Sequence, residues 1–186
     1  MNYSLTTSEL IKKIPDLKAG ERILLSGKIY TARDAAHKRI SALLEKNEKV
    51  PIDLKDKIIY YCGPCPARPG KAIGSCGPTT SARMDEFTPL LLSKGVKAAI
   101  GKGPRSAEVL KALKKYKALY LVVTGGIGAL LAQKVKSCRA VAFEDLGPEA
   151  IYELEIRDFP AIVASDTQGG NIFARLSSKP TTLVGG

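Results

Sequence analysis

The chain has 186 residues, of which 45% are hydrophobic, and its formal net charge is +11. This length and composition predict one globular domain spanning residues 1–186 and exclude a disordered or membrane-embedded chain. No apolar run approaches the roughly 18 residues that a membrane-spanning helix needs, and the N-terminus lacks the charged-then-apolar pattern of a signal peptide. We therefore expect a cytoplasmic protein.

Helical and strand patterns follow one another along the chain, separated by glycine and proline breaks. Apolar spacing and end signals predict helices at residues 6–15, 34–47, 79–95, 106–117 and 127–135. Short apolar or alternating runs predict strands at residues 20–32, 57–64, 97–103, 118–126 and 138–147. The tail, residues 150–176, is typical of two strands around a Gln-Gly-Gly turn at 168–170.

Strands and helices alternate from residue 57 to residue 143, which indicates an α/β fold with a central, largely parallel sheet and flanking helices. The N-terminal strand and the tail strands would extend that sheet or form an additional β layer. Ligands of such sheets bind at the carboxyl ends of the strands. Four suggestive loops follow predicted strands, at residues 31–34, 77–83, 101–106 and 124–128. If those strand ends cluster, the loops form one cleft.

The segment GPTTSAR at residues 77–83 places hydroxyl groups and a guanidinium at a predicted strand-to-helix junction. Free backbone N–H groups and the dipole at a helix start favour an anion, and the hydroxyls of Thr79 and Thr80 add donors. Arg83 follows Thr79 by four residues, so it would share that face of the helix and could bind a carboxylate through two hydrogen bonds. The alternative is an ordinary helix cap followed by a surface arginine.

Two further strand ends carry cations. Lys102 lies between two glycines, which let the backbone bend and a ligand approach closely, although an exposed loop lysine is an equal alternative. Arg33 opens the segment RDAAH, in which Asp34 is a first-turn helix carboxylate and His37 is either structural or catalytic. Neither glycine-rich loop has the spacing of a P-loop or of a dinucleotide-binding fingerprint.

Together, the cations Arg33, Arg83 and Lys102 and the hydroxyl of Thr79 form a receptor suited to a small dicarboxylate. The set lacks a convincing general base, because a threonine hydroxyl is unreactive unless another group activates it. It also lacks ligands for a Lewis-acidic metal. The chain therefore has the residues of half an active site.

The basic charge and the cysteines leave other interpretations open. A net charge of +11 favours an anionic partner such as nucleic acid, or it reflects a lysine-rich solvated surface. The absence of tryptophan and an aromatic content of 6% argue against nucleic-acid recognition. Cys62 and Cys65 have the spacing of a redox pair, and with Cys76 and a fourth ligand they could hold zinc. Buried or incidental thiols are the simpler interpretation.

Five segments carry a family resemblance: TARDAAHKR, YYCGPCPARPGKAIGSCGPTTSARMD, AIGKGPRS, TGGIGALLA and IRDFPAIVASDTQGGNIF. In this order they resemble the β subunit of class I fumarate hydratases and L-tartrate dehydratases, and the C-terminal domain of the single-chain members. The resemblance covers roughly residues 5–176. The combination of GPTTSARMD with RDAAHKR is specific to that group.

The resemblance implies a swivelling β/β/α domain that serves as the β subunit of a two-chain hydro-lyase. The α subunit would hold a [4Fe–4S] cluster whose open iron binds the substrate hydroxyl as a Lewis acid. The implied reaction is the hydration of fumarate to malate, with the dehydration of tartrate to oxaloacetate as the alternative. A dimer or an α2β2 heterotetramer is expected, with no nucleic acid and no membrane among the partners.

The same resemblance assigns roles to the residues of the predicted cleft. Three cations would bind the substrate carboxylates: Arg33, Arg83 and Lys102. Thr79 would lie at the carbon that gains or loses the proton, helped by an acidic residue of the α subunit. Thr80 and Asp34 would lie around these residues and support them.

The chain departs from the family pattern at its cysteines, because small or apolar residues are expected at positions 62, 65 and 76. Cys76 precedes Thr79 by three residues, so its oxidation would perturb the site. A disulfide between Cys62 and Cys65 is a hypothesis that thiol titration of the unreduced protein tests. Ala82 stands where glycine is common, and both residues are small.

Overall fold

The computed structural model describes residues 2–174, which form seven strands and five α-helices. The strands are β1 Asn2–Thr6, β2 Arg22–Thr31, β3 Ile58–Tyr60, β4 Ala98–Gly101, β5 Leu119–Val122, β6 Val135–Ala142 and β7 Ile151–Ser165. The helices are α1 Thr7–Lys13, α2 Asp34–Glu45, α3 Thr88–Ser93, α4 Ala107–Tyr116 and α5 Gly128–Gln133, with 3₁₀ turns at Ser81–Met84 and Glu144–Glu149. No helix in this part of the chain combines the length and the apolar character needed to cross a membrane.

Pairing between strands joins all seven into one sheet, in the order β1-β2-β3-β4-β5-β7-β6. Strands β1 to β5 run parallel to one another, whereas β7 is antiparallel to β5 and β6. Strand β7 also pairs antiparallel with β2, so β2, β3, β4, β5 and β7 form a closed ring. The predicted mixed α/β class with a central sheet and flanking helices is confirmed, and the N-terminal and tail strands extend the sheet.

The two faces of the ring strands pack into two apolar cores, because successive side chains of a strand point to opposite faces. One core takes alternate residues of the ring strands, such as Ile58 and Tyr60 of β3. The other takes the intervening residues, such as Ile59, and packs them against α2, α3 and α4. Strand β3 is therefore buried on both sides, as its continuous apolar run predicts.

The two ends of the described chain differ from the prediction. Strand β1 is not predicted, because its five residues are only exposed or half-buried, and pairing with β2 holds them. The tail forms one strand of 15 residues instead of two strands around a turn. Beyond the turn, the described residues up to 174 form a single isolated bridge, between Ser165 and Asn171. Residues 175–176, which the predicted second strand included, lie outside the described residues.

The predicted helix at residues 79–95 is wrong. A 3₁₀ turn at Ser81–Met84 and the short helix α3 take its place. Thr80 has φ −57° and ψ 119°, which is not helical. Pro89 lies in the first turn of α3, where its missing N–H removes no helical hydrogen bond, so the apolar pattern of this segment starts a new helix there.

Candidate active site

Four loops leave the carboxyl ends of the parallel ring strands at one rim of the sheet. Neighbouring parallel strands end side by side, since Thr31 of β2 pairs with Tyr60 of β3 and Gly101 of β4 pairs with Val122 of β5. The rim therefore brings together the segments that follow these strands, beginning near residues 33, 62, 102 and 124. The predicted clustering of these strand ends is present in the fold, and the cleft between their loops stays a prediction.

The segment that carries Thr79 and Thr80 inserts between β3 and β4 at this rim. The N–H of Thr79 donates to the carbonyl of Tyr61 over 2.6 Å, and Thr80 forms an isolated parallel bridge with Lys102. The segment is therefore an extension of the sheet and not a helix start. The helix-dipole argument for an anion at Thr79 does not apply, and Arg83 does not share a helical face with Thr79.

A carboxylate links the two arginines of the site. The Nε of Arg83 donates to Oδ1 of Asp34 over 2.8 Å, and a guanidinium nitrogen of Arg33 lies 3.6 Å from the other oxygen. Arg33 also lies 3.4 Å from a carboxylate oxygen of Glu149, a residue that the sequence does not single out. Asp34 thus holds Arg33 and Arg83 side by side at the rim.

The Arg33 side chain is half-buried and packs closely against the backbone at Gly63. A Cβ added to Gly63 would lie 3.0 Å from Cδ and from a terminal nitrogen of Arg33, so the glycine gives the arginine room. Within residues 2–174, the buried Nε of Arg33 and the buried Oδ2 of Asp34 have no hydrogen-bond partner. Buried polar groups of this kind carry a cost of about 1–3 kcal/mol, which a ligand or an ordered water would remove.

Lys102 contributes a cation that is held by its backbone. Its N–H donates to the hydroxyl oxygen of Ser81 over 3.0 Å, and its carbonyl accepts from the N–H of Ser81 over 3.0 Å. A Cβ at Gly125 would lie 3.8 Å from Cδ of Lys102, so the lysine stem runs beside the 124–128 loop. Among residues 2–174 the Lys102 ammonium has no ion-pair partner.

His37 is structural. Its side chain is buried, its Nδ1 donates to the carbonyl oxygen of Arg33 over 2.8 Å, and its ring packs against Tyr61 and Phe87. Burial lowers the pKa of His37 to about 4. The ring is therefore neutral near pH 7, and its role is to fix the start of α2 behind Arg33.

A buried arginine that the sequence does not identify supports the rim from below. Arg105 donates to Asp85 over 2.6 Å and to Thr88 over 2.6 Å, and it stacks on the rings of Tyr61 and Tyr120. Its two neighbours Tyr61 and Asp85 raise the pKa of the guanidinium although burial opposes them. Asp85 ends the motif GPTTSARMD and Arg105 lies in the motif AIGKGPRS, but nothing in their spacing shows that the two side chains pair.

The cysteines do not form a ligand set for an iron–sulfur cluster. The sulfur atoms of Cys62 and Cys76 lie 3.0 Å apart in the core, whereas Cys65 is exposed and Cys138 lies on β6. Among residues 2–174, no three His, Cys, Asp or Glu side chains are grouped to hold a metal ion. The contact with Cys76, together with burial, raises the pKa of Cys62, which is opposite to the lowered pKa of a catalytic redox cysteine.

The rim as a whole is suited to binding a small anion with two carboxylates. It presents two guanidiniums and an ammonium, and Thr79 lies between their segments. Acid–base chemistry would also require a group that activates the hydroxyl of Thr79. His37 does not provide it, because its ring is buried and neutral. The prediction that the chain has half of an active site stays a prediction.

Comparison with known proteins identifies the family. The family model described as the fumarase C-terminus matches residues 2–176. A chain of Methanocaldococcus jannaschii, provisionally named L(+)-tartrate dehydratase subunit beta, is 42% identical over 94% of this chain and 93% of its own length. The L(+)-tartrate dehydratase subunit beta of Escherichia coli K12 is 34% identical over 94% of this chain and 88% of its own. The aerobic class I fumarate hydratase of Salmonella typhimurium is 38% identical over 92% of this chain but only 30% of its own length. The resemblance predicted from the motifs is confirmed, and the chain belongs to the fumarase C-terminus family.

Proposed function

We propose that this chain is the β subunit of a two-chain hydro-lyase that reversibly hydrates fumarate to malate. The observation that carries the proposal is the meeting of Arg33, Thr79, Arg83 and Lys102 at one rim of the sheet. The relatives support it, since they are named as class I fumarate hydratases and as β subunits of tartrate dehydratases. Residues 1–186 would form one domain of the swivelling β/β/α kind.

The cations would bind the two carboxylates of the substrate. We assign one carboxylate to Arg33 and Arg83, which Asp34 holds side by side, and the other to Lys102. A charge-assisted hydrogen bond contributes roughly 1.5–3 kcal/mol. The same cations would stabilise the negative charge that builds up on a carboxylate when the neighbouring carbon loses its proton.

Thr79 would transfer the proton at that carbon. Its backbone is fixed by the 2.6 Å hydrogen bond to Tyr61, and its side chain is half-buried. A hydroxyl is a weak base, so an acidic residue of the α subunit would have to activate it. Thr80, which is exposed beside it, would support the segment through its bridge to Lys102.

The α subunit would complete the site. We propose that it holds the [4Fe–4S] cluster, which supplies a Lewis acid when bound, because the cysteines of this chain do not fit that role. This chain would self-associate as a dimer, or the two chains would assemble as an α2β2 heterotetramer, in the cytoplasm and without nucleic acid or membrane as a partner.

Dehydration of L-tartrate to oxaloacetate is the second candidate. It is favoured by the two relatives named as tartrate dehydratase β subunits, which match this chain over 93% and 88% of their own lengths. Both substrates carry two carboxylates, so the cations of this chain would bind either. The extra hydroxyl of tartrate would be recognised by residues beyond these cations.

The test is turnover by the purified pair of chains under anaerobic conditions, with fumarate and L-tartrate as separate substrates. We expect one of them to be turned over, and we expect Arg83→Ala to lower kcat/KM roughly ten- to hundredfold. The control is Arg39→Ala, which removes another ion-paired arginine, whose partner Asp145 is not one of the proposed site residues. Turnover of neither substrate, or equal losses in the two variants, would refute the proposal.

A further inference from the structure

A continuous set of hydrogen bonds, buried at its centre and part-buried at its ends, surrounds the backbone of Lys102. The N–H of Lys102 donates to Oγ of Ser81 over 3.0 Å, and that oxygen lies 2.9 Å from the hydroxyl of Tyr120. The Tyr120 hydroxyl lies 2.8 Å from the carbonyl oxygen of Gly103. Ser81 and Tyr120 have no exposed surface, so water does not compete for the bond between their hydroxyls, whereas Lys102 and Gly103 are half-buried. We call these four groups the Lys102 relay.

The chemistry of the groups fixes the direction of every bond in the relay. The carbonyl oxygen of Gly103 can only accept, so Tyr120 donates its single proton there. The Tyr120 oxygen then accepts the proton of Ser81, whose own oxygen accepts the N–H of Lys102. Burial raises the pKa of Tyr120, which keeps its hydroxyl protonated as this direction requires. Aligned hydrogen bonds of this kind strengthen one another.

Close packing leaves the relay little freedom to move. A Cβ added to Gly101 would lie 1.9 Å from Oγ of Ser81, so that position has room only for glycine. The guanidinium of Arg105 stacks over the Tyr120 ring at 4.9 Å. The N–H of Ser81 also donates to the carbonyl of Lys102 over 3.0 Å. Three hydrogen bonds therefore hold the backbone here. Ser81 binds the N–H and the carbonyl of Lys102, and Tyr120 binds the carbonyl of Gly103.

We propose that Ser81 and Tyr120 are positioning residues that act on the substrate through Lys102. This inference rests on the proposed function, in which Lys102 binds a substrate carboxylate. A lysine stem is flexible, and the flanking residues Gly101 and Gly103 do not restrain the loop by themselves. The relay supplies the missing restraint at the backbone, and a pre-positioned cation loses less entropy when the carboxylate binds.

Tyr120→Phe tests the proposal by removing one oxygen from the relay while keeping the ring. In the complex with the α subunit we expect kcat/KM to fall about tenfold, with most of the change in KM, because Lys102 still binds but is no longer held in place. The control is Tyr30→Phe, which removes a hydroxyl bound to Glu153 in the same sheet. We expect that variant to stay within about twofold of the wild type. Equal effects of the two changes would overturn the proposal.

A double-mutant cycle shows whether the relay works through Lys102. In the Lys102→Met background, Tyr120→Phe should cause no further loss of kcat/KM, because no ammonium remains to be positioned. A further loss as large as in the wild-type background would assign Tyr120 a general structural role and overturn the proposal.

Amide hydrogen exchange of the full-length chain tests the relay independently of the reaction. We expect Ser81→Ala and Tyr120→Phe each to accelerate exchange of the Lys102 N–H about tenfold or more, while exchange at Leu154 in β7 stays unchanged. Unchanged exchange at Lys102 in both variants would overturn the proposal. If the wild-type complex turns over neither fumarate nor tartrate while Lys102 exchange responds as expected, the proposed function fails and the relay itself stands.

Discussion

The hydroxyl of Thr79 is the group on which the proposed proton transfer depends. Within the described part of the chain this hydroxyl has no hydrogen-bond partner. The hydrogen bond that holds Thr79 is made by its backbone N–H. We therefore expect Thr79→Ala to leave the unfolding temperature unchanged and to lower kcat of the paired enzyme by roughly a hundredfold or more. Thr79→Ser, which keeps a hydroxyl, should retain a larger share of kcat. A fully active Thr79→Ala complex would rule out this role for Thr79.

His37 should make the stability of the chain depend on pH. Its pKa falls from 6.5 to about 4 in the folded chain, so below pH 6.5 the unfolded chain binds a proton that the folded chain does not. Stability is therefore full above pH 6.5 and is lost as the pH falls towards 4, by up to roughly 3 kcal/mol. The measurement is the free energy of unfolding in denaturant at several pH values.

The matched variant for this prediction is His37→Phe, which keeps an aromatic ring against Tyr61 and Phe87 but cannot bind a proton. Its stability should fall less steeply between pH 6.5 and 4 than that of the wild type. Parallel curves for the two proteins would show that His37 is not the group responsible.

At the scale of single residues, the sequence predicts the cations and hydroxyls of the site better than it predicts the buried residues that hold them in place. Arg33, Thr79, Arg83 and Lys102 stand in loops after predicted strands, and the parallel sheet brings those loops together. Tyr120 has no such signal, because it reads as one more apolar residue of a buried strand. Its contact with Ser81 joins residues far apart in the chain, and only the folded structure shows it.

Oxidation should form a disulfide between the segments that carry Cys62 and Cys76, which meet near the end of β3. Cys62 follows β3, and its sulfur lies 3.0 Å from that of Cys76. Treatment with diamide, which takes two electrons and two protons from a pair of thiols, should join Cys62 to Cys76 and not to Cys65. The reaction should be slow, because both thiols are buried and the pKa of Cys62 is raised. The closed loop spans residues 62–76, for which chain entropy gives roughly 3 kcal/mol of stabilisation.

Peptide mapping without reduction identifies the cross-linked cysteines. Cys65→Ser should retain the cross-link and the gain in unfolding temperature, whereas Cys76→Ser should lose both. A cross-link that contains Cys65 would instead support the disulfide hypothesised from the CGPC spacing.

At the scale of elements, local patterns predict the central α/β alternation and fail where long-range pairing decides the structure. Helix α4 and strands β4 and β5 lie where the sequence places them, since each has a clear apolar pattern. The segment at 79–95 has an equally clear helical pattern, yet the pairing of Thr80 with Lys102 keeps its first residues extended. Strand β7 is likewise continuous because it pairs with β2, β5 and β6 along its length.

At the scale of the whole molecule, residues 2–174 present cations and a hydroxyl at the rim without a group there to activate that hydroxyl. Its net charge of +11 agrees with an anionic substrate, although many of its lysines lie on exposed helix surfaces. The four proposed site residues come from loops after three different strands, so the fold must form before the substrate can bind. The proposed α subunit would supply the remaining chemistry across the rim.

The most direct test compares this chain alone with the chain co-purified with its proposed α subunit. The measurement is anaerobic hydration of fumarate, with L-tartrate dehydration run in parallel. We predict turnover by the pair only, and loss of that turnover on exposure to air, because we assign the Lewis acid to the proposed partner. Turnover by the isolated, iron-free chain would contradict the division of the active site between two chains, since all catalytic groups would then lie on this one.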